Sequence, residues 1–336
     1  MTKQDISTLV GIGHFYCGLT ADNFLLTHNI LFHILTTMKN NTLSIQSTQT
    51  KRHVIGDKIM DNEIATQIET IELTLIKNSV LGFDPTILLV LDNVEIGQRE
   101  IENLKSRLGP VIFTYLFNIA NSAYHGSLKM GQVDHFFDVV NRIGMQHTKA
   151  LIMQFASHSL ARGDHEAEII SAKNFAASVV GRIMARGLGF RDDGARKVEL
   201  ACLLSGIGAL MMTVYRNHYH TADFVLSDAF IEQNHMYLTE RIIRRFNLPE
   251  YLHEMIMTDC FTLDHMGIGL ASVVKLAIGA VEWSFRTLNN KLVFLSTDTS
   301  SEDRYSPSLA SIIEEQFAAA GLKKYLVILA ETDQVP

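Results

Sequence analysis

Apolar residues recur three and four positions apart through most of this 336-residue chain, and only five prolines interrupt the pattern. That spacing lines up side chains along one stripe of an α-helix, whereas a half-buried strand needs strict alternation. In DNEIATQIETIELTLIKNSV, for example, Ile64, Ile68, Ile71 and Leu75 share one face. Convincing alternation is scarce. The chain is therefore expected to be all-α, with helix over more than half its length against a base rate of about a third.

Glycine and proline divide the pattern into elements. Gly82-Phe83-Asp84-Pro85 is a break, because the residue before a proline avoids the helical region. Helices are then expected over roughly 86–93, 98–107, 110–124, 132–143, 147–162 and 165–188, with Gly109-Pro110, Gly126 and Gly144 at their ends and starts. KVELACLLSGIGALMMTVY supplies another, a further helix runs from Ser227 to Phe246, and Leu248-Pro249 opens the next. Before the break, NFLLTHNILFHILTTM also reads as helix, and the stretch after it as a hairpin or an ordered loop. After Asn290 the character changes. LVFLSTDTSSEDRYSP reads as a connector, Ser306-Pro307 starts a helix to Ala320, and KKYLVILAE is a short terminal strand or a packed extension. The expected organisation is an N-terminal helical extension over 1–79, a helical domain over 80–290, and a connector, helix and tail over 291–336.

Composition narrows the function classes. The apolar fraction of 47% is ample for a core, and the net charge of −7 offers no basic field for phosphate backbones. No nucleic-acid partner is expected. Cys17, Cys202 and Cys260 are far apart and form no CxxC pair, which suits free thiols in a reducing cytosol. The N-terminus lacks the basic region and long apolar core of a secretory signal. Gly267–Phe285 is long enough to span a bilayer, but Lys275 and Glu282 lie two turns apart on one face, and charges in mid-span are costly. A buried helix with one solvated stripe is the expectation, in a cytoplasmic protein without membrane contact.

The most distinctive patch is Ile112–Ile152. Ile119-Ala120-Asn121-Ser122-Ala123, a short loop, and a helix closing on Arg142-Ile143-Gly144 resemble the HDOD family, whose domains share this Asn-Ser and Leu-Gly pattern. FDPTILLVLDNVEIGQREIENLKSRLG matches that family's opening helix pair. The helix around Ala172–Leu188, the Ala201-Cys202-Leu203-Leu204 segment and the proline-started Leu248-Pro249-Glu250-Tyr251-Leu252 follow in the family's order. The resemblance covers residues 80 to 285 and implies a multi-helix HD-like bundle working in bacterial signalling through a protein partner. Asn121 and Ser122 near a helix end suit a chain-turning role by bonding their own backbone, and Gly144 suits a left-handed helix stop.

HDOD domains are similar to the HD phosphohydrolases, which hold metal ions with scattered histidines and an adjacent His-Asp pair in a context like LLHDIGK. This chain reads Leu203-Leu204-Ser205-Gly206-Ile207-Gly208-Ala209 there. A hydroxyl is a poor ligand at neutral pH and glycine offers none, whereas metal activation of water needs converging carboxylates and imidazoles. Lys173-Asn174-Phe175 stands where relatives often show histidine then serine, and Thr258-Asp259-Cys260 where many end in a His-His pair. Only His235 keeps a landmark histidine. No catalytic residue, metal ligand or cofactor is therefore assigned. The chain is expected not to be an enzyme, with metal-dependent phosphodiester hydrolysis as the alternative.

Asn121, His125, Ser205 and His235 are the candidates for a ligand-binding surface, with a nucleotide-like molecule as the third reading. His218-Tyr219-His220 with Asp223 has acceptable zinc-ligand types, though the stretch reads as a loop. Asp164-His165-Glu166 and Asp264-His265 read as polar helix ends. Arg241, Arg244 and Arg245 form a basic helix face, expected to be merely solvated, so that replacing all three with glutamine would leave stability nearly unchanged.

Overall fold

The computed structural model describes residues 62–77, 86–91, 96–121, 133–219, 226–258, 263–264, 267–296 and 309–330. The expected helix through NFLLTHNILFHILTTM, the stretch after it and Gly126 lie outside these residues. The helices are α1 (Asn62–Lys77), α2 (Thr86–Val90), α3 (Gln98–Asn121), α4 (Phe136–Ile143), α5 (Met145–Leu160) and α6 (His165–Gly187). They continue with α7 (Asp192–Leu204), α8 (Ile207–His218), α9 (Asp228–Arg245), α10 (Glu250–Met257), α11 (Leu270–Ser284) and α12 (Leu309–Ala319). The fold is helical, as the periodicity predicts. Helix α3 holds both segments expected on either side of Gly109-Pro110; Gly109 there has φ 74° and ψ 158°, a kink that only glycine enters without strain.

The core forms where α6, α7 and α11 cross. Gly181 of α6 sits at the crossing: a Cβ there would lie 2.8 Å from Cys202 Sγ, 3.0 Å from Val198 Cγ1 and 3.3 Å from Ala277 Cβ. One residue on, Arg182 Nη1 donates to Glu199 Oε2 at 2.8 Å, and His147 of α5 brings Nε2 to 3.5 Å from Glu199 Oε1. Burial, and secondarily the Glu199 charge, push the Cys202 thiol and the Tyr115 phenol well above their ordinary ranges, so both stay protonated. Lys149, also buried, donates Nζ to the Asn247 carbonyl at 3.2 Å and answers the open carbonyls at the end of α9.

Two small sheets accompany the helices. β1 (Leu263–Asp264) pairs antiparallel with β2 (Gly267–Ile268). β3 (Phe285–Leu288), β4 (Lys291–Ser296) and β5 (Leu326–Ala330) form a sheet in that order, β3–β4 antiparallel and β4–β5 parallel. Two sequence expectations change here, and a third is met as a strand. The first residues of the supposed connector, LVFLS, are strand β4, and the end of the supposed 267–285 helix is strand at both margins. A two-residue turn at Asn289-Asn290, both with positive φ, explains the hairpin, because asparagine tolerates that region. The terminal KKYLVILAE contains strand β5, and Tyr325 just before it donates its hydroxyl to the buried Glu168 carboxylate at 2.7 Å.

Among the described residues one run is long and apolar enough to cross a membrane, Asp192–His218, and 89% of its apolar window is buried inside the protein. It is two core helices, α7 and α8, in series. The stripe on α11 is realised: Glu282 pairs with Lys173 of α6 at 3.0 Å, and Lys275 Nζ donates to the Ile256 carbonyl at 2.8 Å.

The basic face of α9 is not merely solvated. Arg241 Nε lies 2.6 Å from Glu72 Oε2 and Arg245 Nη1 2.8 Å from Glu72 Oε1, while the Glu72 side chain of α1 is only 2% exposed. A carboxylate taken out of water needs those cations, and the pairing drives the Arg241 guanidinium further above its ordinary range, against the effect of burial. Only Arg244, paired with Glu240 one turn away, fits the solvated reading. The expected neutrality of the triple glutamine variant is therefore corrected. Arg241→Gln with Arg245→Gln should cost about 2–3 kcal/mol in urea unfolding, below the full cost of an orphaned buried charge because both arginines are partly exposed. Adding Glu72→Gln should recover at least half of that loss.

His158 of α5 supplies a pH dependence. Burial, foremost, lowers its pKa to about 4, with Glu168 opposing and Lys324 and Arg162 reinforcing. A depressed histidine favours the folded state fully above its unfolded value near 6.5, and that contribution is lost as pH falls toward 4. Equilibrium unfolding should show a stability loss on the order of 2 kcal/mol across that window, distinctly reduced in His158→Gln.

A candidate ligand site at the α7–α8 turn

Helix α7 ends at Leu204 and α8 begins at Ile207, so Ser205-Gly206 is the whole connection. Ser205 keeps helical angles and donates Oγ to the Cys202 carbonyl at 2.8 Å, returning its hydroxyl to the helix it leaves. Gly206 has φ −100°, a value open to any residue, so backbone strain does not explain the glycine. Its neighbour does. A Cβ at 206 would lie 2.3 Å from Asn174 Oδ1 and 2.8 Å from Asn174 Nδ2, so the carboxamide of α6 occupies the space a side chain would need.

Two residues on, Gly208 lets α8 cross α9 at backbone contact. A Cβ there would fall 2.0 Å from the His235 carbonyl oxygen, the Gly208 N–H donates to Thr239 Oγ1 at 3.1 Å, and Thr239 Oγ1 donates to the His235 carbonyl at 3.0 Å. The His235 ring is half-buried, and its Nδ1, like the buried Asn174 Nδ2, has no hydrogen-bond partner among the described residues. Burial chiefly lowers the His235 pKa; Glu232 works against this and Lys275 with it, so the ring is neutral at pH 7. The turn is thus bordered by a carboxamide from α6, with the His235 backbone of α9 against the next residues of α8 and the Lys275 ammonium of α11 close enough to act on the His235 imidazole. These groups can bind by hydrogen bonds and, at Lys275, by charge.

Ser205 and His235 therefore stand on elements that meet, α7–α8 and α9. Asn121 is engaged elsewhere. Its Oδ1 accepts from the Val133 N–H at 2.9 Å and its Nδ2 donates to the Val133 carbonyl at 3.3 Å, so it bonds the chain returning to α4 and not its own backbone. Arg142 Nη1 reaches the Ala120 carbonyl and Arg196 Nη1 the Ile143 carbonyl, each at 3.3 Å, which ties both halves of the Asn-Ser and Leu-Gly landmark into one corner. Gly144 has positive φ, as expected, but its ψ of 143° lies outside the left-handed helical region. His125 lies outside the described residues.

The other histidine groups have fold-making partners. Asp164 caps α6, accepting from the Glu166 and Ala167 N–H groups at 3.1 Å, and its other oxygen holds Asn217 at 2.8 Å and His218 at 3.3 Å. His220, Asp223 and His265 lie outside the described residues. Among the described residues no group of three or more His, Cys, Asp or Glu side chains is placed to hold a metal ion. Sequence reasoning missed Asn174 and Lys275 as members of the site. The one was only a departure from a familiar pattern, the other a charge on a stripe; the glycines at 206 and 208 were the signal that something presses against this turn.

The HDOD domain family model matches residues 86–259, just over half of the chain. The chain belongs to the HDOD family. No curated protein matches it. Among solved structures, this HDOD protein is similar to a "Putative metal-dependent phosphohydrolase" from Shewanella amazonensis SB2B, with 15% identity, a TM-score of 0.46 and coverage of 88% of this chain and 99% of that one.

The geometry at the turn predicts an asymmetry between its two glycines. Gly206→Ala should be destabilising by about 2 kcal/mol and be largely rescued by Asn174→Ala, since the obstacle is a side chain. Gly208→Ala should cost more and resist rescue, because the obstacle is the backbone of α9. Thermal melts of the two glycine variants, each alone and combined with Asn174→Ala, decide it.

Proposed function

We propose that this HDOD protein is a non-catalytic regulatory module of a bacterial, cytoplasmic signalling pathway, acting by binding a protein partner. The observation that supports this most is the Ser205-Gly206 turn with Asn174 seated against it. A metal that activates water for phosphoester attack needs carboxylate and imidazole ligands. Among the described residues the side chains at this turn are a hydroxyl already hydrogen-bonded to its own helix and a carboxamide; the nearest helix, α9, adds one imidazole on which the Lys275 ammonium acts, and an ammonium repels a divalent cation. That donor set does not fit the metal centre of the wider superfamily.

Two of the buried atoms without a hydrogen-bond partner among the described residues, Asn174 Nδ2 at the turn and His235 Nδ1 on α9, favour a second reading in which this region also holds a small polar ligand of nucleotide-like chemistry. Native mass spectrometry of freshly purified protein tests both. The expected result is no stoichiometric divalent metal, and no hydrolysis of cyclic dinucleotides, nucleotides or a generic phosphodiester with added manganese, magnesium or zinc. Ser205→His with Gly206→Asp should gain no activity. One tightly held ion per chain, with turnover lost on mutating its ligands, would overturn the non-enzyme reading. A small-molecule mass excess that disappears in Asn174→Ala would establish the second.

A further inference from the structure

The three-stranded sheet gathers cations at one of its ends. The β3–β4 register sets Leu288 opposite Lys291 across the Asn289-Asn290 turn, and the parallel β4–β5 register sets Leu292 beside Leu326. The single 3-10 turn Lys323–Tyr325, which leads into β5, therefore lies at the same end as Asn289-Asn290. Residues 286–291 are all exposed, and so are Lys323 and Lys324. Arg286 shares a face of the hairpin with Leu288 and Lys291, because side chains two apart along a strand point the same way. Among the described residues Arg286, Lys291 and Lys324 form no ion pair, although the Lys324 charge is felt at the buried Glu168. Lys323 pairs with Glu314 at 3.0 Å and still has 65% of its side chain in water. At the apex of the hairpin, Leu288 is 42% exposed. Keeping a sheet end solvated accounts for the cations. It does not account for a leucine among them.

We infer that this end of the sheet docks on an anionic lipid surface, with Leu288 entering the headgroup layer and Arg286, Lys291, Lys323 and Lys324 lying against lipid phosphates. An apolar apex collared by cations matches a membrane interface, which is anionic outside and apolar beneath. A nucleic-acid backbone would meet the same cations but offers nothing to the leucine. The rest of the chain repels such a surface. Its net charge is −7 with these four cations counted, so everything else is more acidic still. Attraction here and repulsion elsewhere leave one orientation, with the sheet end down. A basic residue at an anionic leaflet gains about fivefold in partitioning. One leucine adds only a little more, so the adsorption is weak, reversible and salt-sensitive. Surface adsorption needs no spanning helix, and so differs from the membrane contact that the charges within Gly267–Phe285 argue against. The contact goes beyond the regulatory reading and does not depend on it.

Cosedimentation of the full chain with vesicles tests this. Vesicles of phosphatidylglycerol and phosphatidylethanolamine should pellet the protein at low salt, phosphatidylcholine vesicles should not, and high salt should release it. Arg286→Gln with Lys291→Gln should weaken the partitioning about 30-fold while the circular dichroism spectrum stays unchanged, since neither side chain has an ion pair to lose among the described residues. Depth is read separately. Leu288→Trp in a chain carrying Trp283→Phe leaves one tryptophan, at the apex. Its emission should shift to the blue on the anionic vesicles and be quenched by brominated lipid tails. No pelleting with the anionic vesicles overturns the inference, as does pelleting that the double variant leaves unchanged. A tryptophan at 288 that is neither shifted nor quenched overturns it too. Tighter retention on soluble polyglutamate than on the vesicles would reassign the surface to an acidic macromolecule.

Discussion

The Arg182–Glu199 pair is the contact on which the helical layers depend. Both side chains are almost wholly out of water, one on α6 and the other on α7, and His147 approaches the same carboxylate from α5. Such a pair gains little over a well-packed apolar one, but losing either partner strands a charge at a cost of about 3–5 kcal/mol. Three helices are thereby held in one rotational setting, because a turn of any of them would pull a side chain away from this shared pair. Gly181, one residue before Arg182, sets the separation that makes this possible. With no side chain there, α6 approaches Cys202, Val198 and Ala277 at once, and the Arg182 guanidinium reaches Glu199.

The α7–α8 turn follows from that setting. Once α6 is fixed against α7, Asn174, two turns before Gly181, is carried over the Ser205-Gly206 connection. Gly208 then lets α9 close at backbone distance and bring His235 with it. The same geometry that leaves no room for a side chain at 206 leaves Asn174 Nδ2 without a hydrogen-bond partner among the described residues. Buried polar groups are ordinarily satisfied, so an unsatisfied amide nitrogen seated against this turn is the observation on which the proposed binding role rests.

Much of the fold was legible because helices announce themselves through local spacing. The stripe Ile64, Ile68, Ile71 and Leu75 needs no knowledge of what it packs against, and Asp164 is recognisable as a helix end from its place before an apolar run. What was not legible is non-local. Glu72 looks like any polar residue on an amphipathic helix, and nothing near it signals Arg241 and Arg245, which lie some 170 positions on. Strand β4 escaped because its apolar residues form a short run without alternation, and its partners are the end of a helix and a strand beyond an intervening helix. At the site, Ser205-Gly206 could be read as a loss of metal ligands from sequence alone. Asn174 could not be read as a member, since a mid-helix asparagine gives no sign of which neighbour it meets.

The two ends of the described chain are sealed by similar means: α1 by Glu72 against α9, and the C-terminal cassette by Tyr325 against Glu168. Each contact joins residues far apart in sequence, so each must wait for most of the chain. During synthesis Glu72 leaves the ribosome well before the arginines that will neutralise it, and Glu168 well before Tyr325. A nascent chain halted between residues 168 and 241 carries both carboxylates without these partners, where water is the better solvent for them. Vectorial synthesis thus makes α6, α7 and their ion pair the first part able to settle, with the termini closing over it last, and premature docking of either end is discouraged by the cost of burying a lone charge.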